Sequence, residues 1–411
     1  MKINKAYKFR IYPNKIQKEV FEQYFGVYRF VYNTVLDYKI NSYKRGIKYT
    51  AYDAIRDFTE IKKLEGYEWL KDINSQVIQQ SVLNLDNAFQ QFFKVKQSGF
   101  PKFKSRKTNH NSFRVPQYFK IDFENKKIKI PKIDWIKFKD KRVFDSKIKS
   151  MTFSKNASGQ YFVSILTEED FEPQLLTEIM ESKVFSADMS AKNFLVSQSM
   201  EFENQKFYRK KERRLKIRQR RLSRKQKDSN NRKKERLNVA RLHQKIVNER
   251  RGFQWNLAHE LTQNFDVLIF EDLNMKGMQQ FNKGLSKTVT LDFSFSEFLA
   301  NLEWKCFKEN KHFVKIDRWF PSSKLCSSCG QIKQDLQLSD RQYTCECGLD
   351  INRDINASIN IKNAGLNILK EKGINLLKNS TELNISESYA CGYVSVDLIN
   401  SAQESSFFRG W

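Results

Sequence analysis

The chain has 411 residues, a mass of 48.9 kDa and 40% hydrophobic residues, enough for two or three domains with real cores. Lys and Arg outnumber Asp and Glu by 27, and the sequence pI is about 9.7. Such an excess repels itself without a polyanion, and nucleic acid is the usual one, although ribosomal and chromatin proteins are equally basic without being enzymes. No long apolar run marks a membrane span or signal peptide, so no membrane partner is expected. Four of the six cysteines stand in a ligand-like set, which suits a reducing, cytoplasmic setting better than a disulfide framework.

Residues 1–11 alternate and predict an edge or barrel strand that ends at Pro13. Residues 15–95 are mostly helical in pattern: the segments at 16–38 and 74–94 carry apolar residues at helical spacing. The aromatics Phe21, Tyr24, Phe25, Tyr28 and Phe30 are expected in the core. From 99 to 170 the character changes. A basic, punctuated stretch, GFPKFKSRKTNHNSFRVP, precedes short alternating runs that read as strands joined by tight turns. They suggest a small barrel or sheet closed with the first strand. Lys102, Lys104, Arg106 and Lys107 are candidate phosphate contacts in that stretch.

Residues 168–182 read as a linker, and KVFSADMSAKNFLVSQSM at 183–200 as strand, turn and strand. Long helices follow from 205 to about 264, broken near DSNN at 228–231. The first is intensely basic, and Arg213, Arg214, Arg218, Arg220 and Arg221 are its candidate nucleic-acid contacts. FDVLIFEDLNMKG at 265–277 resumes strand character, a helix covers about 296–310, and HFVKIDRWFPSSK leads as a strand into the cysteines. RDINASINIKNAGLNIL should be a helix with Asp354 near its start, and the last forty or so residues are Ser/Asn-rich, the pattern of a mobile tail.

Cys326 and Cys329, then Cys345 and Cys347, are four thiols able to surround one Zn²⁺ tetrahedrally as a structural site. The second pair is C-x-C, tighter than the usual two-residue spacing, so its turn must differ. Cys306 and Cys391 lie outside the set and read as ordinary thiols. Asp188 follows VFSA, Glu271 follows VLIF, and Asp354 opens a helix, so each stands where a buried element ends. A carboxylate there is costly unless paired or bound to a metal. If the three converge, they can hold two Mg²⁺ ions about 3.5–4 Å apart for phosphodiester hydrolysis. Asp272 competes with Glu271 for that role, and alternation favours Glu271.

The combination resembles the TnpB family, transposon-encoded RNA-guided nucleases related to type V CRISPR effectors. The resemblance covers nearly the whole chain and rests on KAYKFRIYPNKIQKEVFEQYFGVYRFVYN, GFPKFKSR, SADMSAKNF, VLIFEDLNMKGM, KIDRWFPSSKLCSSCG and RDINASINI. It implies a multidomain α+β protein. A β-barrel wedge domain would span 1–14 and 97–170, with a helical recognition domain at 15–96 and a linker at 171–182. An RNase H-like (RuvC) nuclease domain would span 183–321, with its basic helical segment at 205–264. A zinc ribbon at 322–350, a last RuvC-like segment at 351–370 and a tail at 371–411 would complete it. The resemblance makes Asp188, Glu271 and Asp354 the catalytic Mg²⁺ ligands and the four cysteines the zinc ligands. It also likens Arg341 to an arginine near the scissile phosphate. It implies a guide RNA from the transposon end, a double-stranded DNA target beside a short motif, and a monomer.

Two features depart from the family pattern. Glycines are usual around the first acid, but here the turn reads Ser186-Ala187-Asp188-Met189-Ser190, and Asn352 replaces a second Asp. Some relatives have lost their acids and act as guided DNA-binding repressors; all three acids stand here. A conventional transposase accessory role and a zinc-stabilised RNA binder are the other readings.

Overall fold

The computed structural model describes residues 1–95, 98–108, 111–190, 192–273, 277, 288–337 and 339–377. Cys391 and most of the expected tail lie outside these residues. The described chain divides into two units, residues 1–171 and 172–377.

The first unit is a sheet packed with helices. Strand β1 (Lys2–Tyr12) leads into α1 (Lys15–Lys44), α2 (Ala51–Ile61) and α3 (Ser75–Lys94). Six strands follow: β2 (Asn111–Val115), β3 (Lys120–Asp122), β4 (Lys127–Ile130), β5 (Ile133–Phe138), β6 (Lys147–Lys155) and β7 (Tyr161–Asp170). The sheet order is β2-β6-β7-β1-β5-β4-β3, with antiparallel neighbours. The first strand is therefore interior, flanked by β7 and β5, and not an edge. Helix α1 starts at a capping box in which Asn14 and Gln17 satisfy each other's backbone N–H. Its buried residues Phe21, Tyr24, Phe25, Tyr28, Tyr32 and Val35 recur at helical spacing. Phe21 packs against Phe113, Phe153 and Tyr161 of the sheet, so the helical stretch and the strands share one core. Of the aromatics expected inside, only Phe30 is half-buried, edge-on to Phe58 and Trp69.

The second unit opens with β8 (Glu178–Met180), β9 (Val184–Ser186), β10 (Asn193–Val196) and β11 (Glu201–Glu203). The basic helix α4 (Arg209–Ser223) and α5 (Asn230–Asn264) follow. The break between them is made by Asp228 in the left-handed region, φ 62°, and by Ser229, whose hydroxyl caps α5 at the Arg232 N–H. Then come β12 (Val267–Glu271), α6 (Phe295–Lys308), β13 (His312–Ile316), β14 (Gln342–Thr344), β15 (Asp350–Asn352), α7 (Arg353–Glu371) and β16 (Asn375–Leu377).

Strands β13, β12 and β9 form a parallel sheet with β12 at its centre. Val267, Leu268, Ile269 and Phe270 are all fully buried, as a strand covered on both faces requires. Leu268 and Phe270 join a core with Leu257 of α5 and Phe298 and Leu302 of α6. Val267 and Ile269 join a second core with Ile361 and Leu369 of α7. Strand β8 falls within the expected linker, and β16 within the expected tail; the two pair in parallel. Three residues each are too short to show a period in sequence.

Helix α7 lies close on the sheet at Gly365. A Cβ there would overlap the side chain of Ile269. Gly365→Ala should therefore destabilise the protein by roughly 1–3 kcal/mol through overpacking, although alanine is the better helix former. Urea unfolding checks it: an unchanged or higher midpoint would mean that the helix has room to move off β12.

A candidate metal centre beside a cysteine ribbon

Asp188 stands two residues beyond the short strand β9 and forms an isolated antiparallel bridge: its N–H donates to the Val196 carbonyl at 2.8 Å, and the Val196 N–H returns the bond at 2.9 Å. Glu271 is the last residue of the central strand β12. Asp354 occupies the first turn of α7, where the helix dipole favours a negative charge. Asn352 caps that helix by accepting from the N–H groups of Asp354 and Ile355. An asparagine where a second aspartate was usual thus has a structural task.

Glu271 and Asp354 both lie near enough to Asp188 to act on it. Burial raises the Asp188 carboxyl, and the charges of Glu271 and Asp354 raise it further, to about 8. The Arg353 guanidinium and the Met189 N–H oppose that rise. Burial also raises Glu271, against a hydrogen bond donated by the buried Ser322 hydroxyl. Half-buried carboxyls that repel one another are a donor set suited to a hard divalent cation such as Mg²⁺. Asp272, the rival of Glu271, is instead ion-paired with Arg318.

The two serines near Asp188 are used. Ser186 is buried and donates to the Ser358 carbonyl of α7 at 2.8 Å. The Ser190 hydroxyl accepts from the Lys192 N–H at 3.4 Å, which tightens the turn after the acid.

The sulfurs of Cys326, Cys329, Cys345 and Cys347 all lie within 4.8 Å of one another. Cys326 to Cys347 and Cys329 to Cys345 are each 3.6 Å. Zn–S bonds of about 2.3 Å at tetrahedral angles place sulfurs about 3.8 Å apart, so the set fits a structural Zn²⁺. Burial pushes the Cys326 thiol up, but the N–H groups of Cys329 and Ser328 outweigh it and bring the thiol down to about 6. The Gln331 N–H lowers the Cys329 thiol, but hydrogen bonds with the other cysteines outweigh it and push it up to about 12, so a metal, which needs thiolates, would displace protons on binding. The first knuckle closes with the Gly330 N–H on the Cys326 carbonyl, the second with the Gly348 N–H on the Cys345 carbonyl, each at 3.0 Å. The C-x-C half closes one residue sooner, and Gly330 and Gly348 supply the positive φ both turns need, 78° and 90°.

Arg341 is exposed, and its carbonyl accepts from the Arg353 N–H of α7 at 2.9 Å. Arg353, which the sequence reading passed over, is the arginine whose charge reaches Asp188. Its place beside Asp354 at a helix start was the available signal. Ser322 gave none, because 51 residues separate it from Glu271.

The basic candidates differ in their surroundings. Lys102, Arg106 and Lys107 are exposed. The Lys104 ammonium lies 3.8 Å over the Tyr32 ring, and burial lowers it to about 8, so it is not a freely solvated cation. On α4, Arg213, Arg214, Arg218 and Arg221 line an open cleft with Lys210 and Ile217. Arg218 also pairs with Glu235 of α5 at 3.1 Å, and Arg220 is exposed outside the cleft.

Two outcomes are expected. In Mg²⁺-free buffer Asp188 holds its proton more tightly folded than unfolded, where carboxyls ionise near pH 4. Its contribution to stability therefore falls as pH rises from about 4 to about 8. Asp188→Asn should remove that loss, leaving a variant more stable than wild type at pH 8 and similar to it near pH 4. Parallel pH dependence of the two urea midpoints would show that another group titrates. Separately, Cys326→Ser should lower the bound zinc measured by atomic emission from one ion per chain; full retention would exclude the four-sulfur site.

Three family models match the chain: "Helix-turn-helix domain" over residues 1–48, "Probable transposase" over 166–282 and "Cas12f1-like, TNB domain" over 295–361. A Streptomyces pristinaespiralis protein named "Putative RNA-guided DNA endonuclease" is 33% identical over 374 residues, 89% of this chain and 90% of the relative. The Escherichia coli K12 protein of the same name with the suffix InsQ is 30% identical over 386 residues, 90% and 94% of the two chains. A solved Cas12f1 chain in a complex with sgRNA and target DNA is 17% identical at a TM-score of 0.33, covering 88% of this chain and 99% of that one, so the assignment rests on the sequence relatives. Matched along nine-tenths of its length to these relatives, the chain belongs to the TnpB/OrfB family of transposon-encoded RNA-guided nucleases.

Proposed function

We propose that this protein is an RNA-guided DNA endonuclease that cleaves double-stranded DNA beside a short motif, with Asp188, Glu271 and Asp354 as the ligands of catalytic Mg²⁺. The observation that carries the reading is the convergence of three carboxylates from the turn after β9, from β12 and from α7, close enough that two of them raise the third. A parallel sheet with acids at or just beyond the ends of adjacent strands and on a packed helix suits an RNase H-like, RuvC-type nuclease domain. In the same reading residues 322–350 are a zinc ribbon, residues 15–96 a recognition domain, and residues 1–14 with 97–170 a wedge.

Mg²⁺ held by these acids would supply water activation and charge neutralisation for phosphodiester hydrolysis. The protein's own groups prepare the place. Sheet and helix hold the carboxylates together against their repulsion, and Arg353 supplies one fixed positive charge beside them. The Ser322 hydroxyl donates a hydrogen bond to Glu271. The arginines of α4 and the exposed Lys102, Arg106 and Lys107 suit phosphate contacts to guide RNA or target DNA. Sequence choice would then come from base pairing, with protein contacts reading shape and the adjacent motif.

The test is to copurify the protein with RNA transcribed from its own genomic flank and challenge it with a DNA target library in Mg²⁺. Guide-matched cuts, lost in Asp188→Ala with RNA binding retained, are the expected result. Guide-dependent binding without cuts by the wild type would favour a repressor-like protein. Absence of any copurified RNA would remove the guided reading altogether.

A further inference from the structure

Ser322 stands between the cysteine ribbon and the acids, and no part of the proposed chemistry requires it as a metal ligand. It is 5% exposed, in the segment that joins β13 to the first cysteine knuckle. Its hydroxyl donates to the Glu271 carboxylate Oε1. Its carbonyl accepts from the Asn360 side-chain amide at 2.8 Å. The same amide donates to the Leu325 carbonyl at 2.7 Å, and so does that of Asn356, also at 2.7 Å. The Asn356 side-chain oxygen in turn accepts from the N–H of Ser327, inside the Cys326–Cys329 knuckle, at 3.0 Å. Asn356 and Asn360 are 0% and 2% exposed and stand four apart on one face of α7, the helix that carries Asp354.

These bonds make a continuous chain from the knuckle through α7 to Glu271. Two buried amides spent on backbone carbonyls of a loop are a costly arrangement unless the loop's position matters. A hydroxyl bonded to one carboxylate oxygen fixes the direction of the other, and a hydrogen bond to a charged group is among the stronger ones.

Resting on the nuclease reading above, we infer that Ser322 is a positioning residue for Glu271, held in place by the Asn356–Asn360 latch between the ribbon and α7. The device orients the carboxylate for its cation; it does not bind substrate. Ser322 and the two asparagines thereby tie the order of the ribbon to the affinity of the acidic site.

The proposal predicts a shift in metal dependence at unchanged guide binding. Ser322→Ala should raise the Mg²⁺ concentration for half-maximal cleavage about tenfold, the loss expected for one charge-assisted hydrogen bond. Ser322→Thr, which keeps the hydroxyl, should restore most of it. Asn360→Ala should shift the metal dependence in the same direction. Mn²⁺ binding, read by electron paramagnetic resonance on the protein with guide RNA and no target, gives a readout apart from cleavage. Ser322→Ala should weaken that binding while the thermal midpoint stays within a few degrees of wild type. A wild-type Mg²⁺ and Mn²⁺ dependence in Ser322→Ala overturns the proposal. So does a loss of guide binding and thermal stability that Ser322→Thr does not rescue, because that is a packing role alone. If the wild type binds Mn²⁺ but never cleaves, a weakened Mn²⁺ affinity in Ser322→Ala still upholds the positioning role while the nuclease reading falls.

Discussion

The repulsion that Glu271 and Asp354 exert on the buried Asp188 is a constraint that residues 172–377 must bear. No neighbouring pair of strands supplies all three acids. One ends the central parallel strand, one stands two residues beyond its neighbour β9, and one lies in the first turn of α7. Left alone, like charges in a half-buried place would spread apart or take up protons, and Asp188 does the latter. What prevents spreading is the stiffness of the elements behind them. Strand β12 is buried on both faces, and α7 approaches it so closely at Gly365 that a methyl group would not fit.

That stiffness is local, and the ribbon extends it. A metal-bound knuckle is a small rigid body even where a hydrophobic core is thin. Here its loop is bonded to two buried asparagines of α7, and the loop's lead-in segment touches Glu271. The four cysteines therefore do more than staple a surface hairpin. Strands β14 and β15 of that hairpin run directly into the capped start of α7, so the covalent chain and the hydrogen bonds converge on Asp354.

Much of this was legible in the residues. The strand–turn–strand at 183–200, the basic helix with its break, the apolar run into Glu271 and the cysteine spacing all have local signatures, and local signatures survive folding. Alternation was the ground for preferring Glu271 to Asp272, yet the four residues before Glu271 are all buried, and the structure pairs Asp272 with Arg318. The rest depended on long-range contacts. β1 is an interior strand because β5 and β7, which lie more than a hundred residues later, flank it. Lys104 read as one cation among several, yet its ammonium is stacked on Tyr32 of a distant helix. The arginine whose charge reaches Asp188 is Arg353, placed by the start of α7, whereas Arg341, which the resemblance implied, is exposed.

The pairing of β16 with β8 joins the start of the second unit to the last strand among the described residues. The Asn375 N–H donates to the Thr177 carbonyl at 2.8 Å, and the strands run side by side in the same direction. Pairing strands so distant in sequence closes this unit on itself through backbone bonds, so that loss of either strand leaves the facing N–H and C=O groups of the other unpaired.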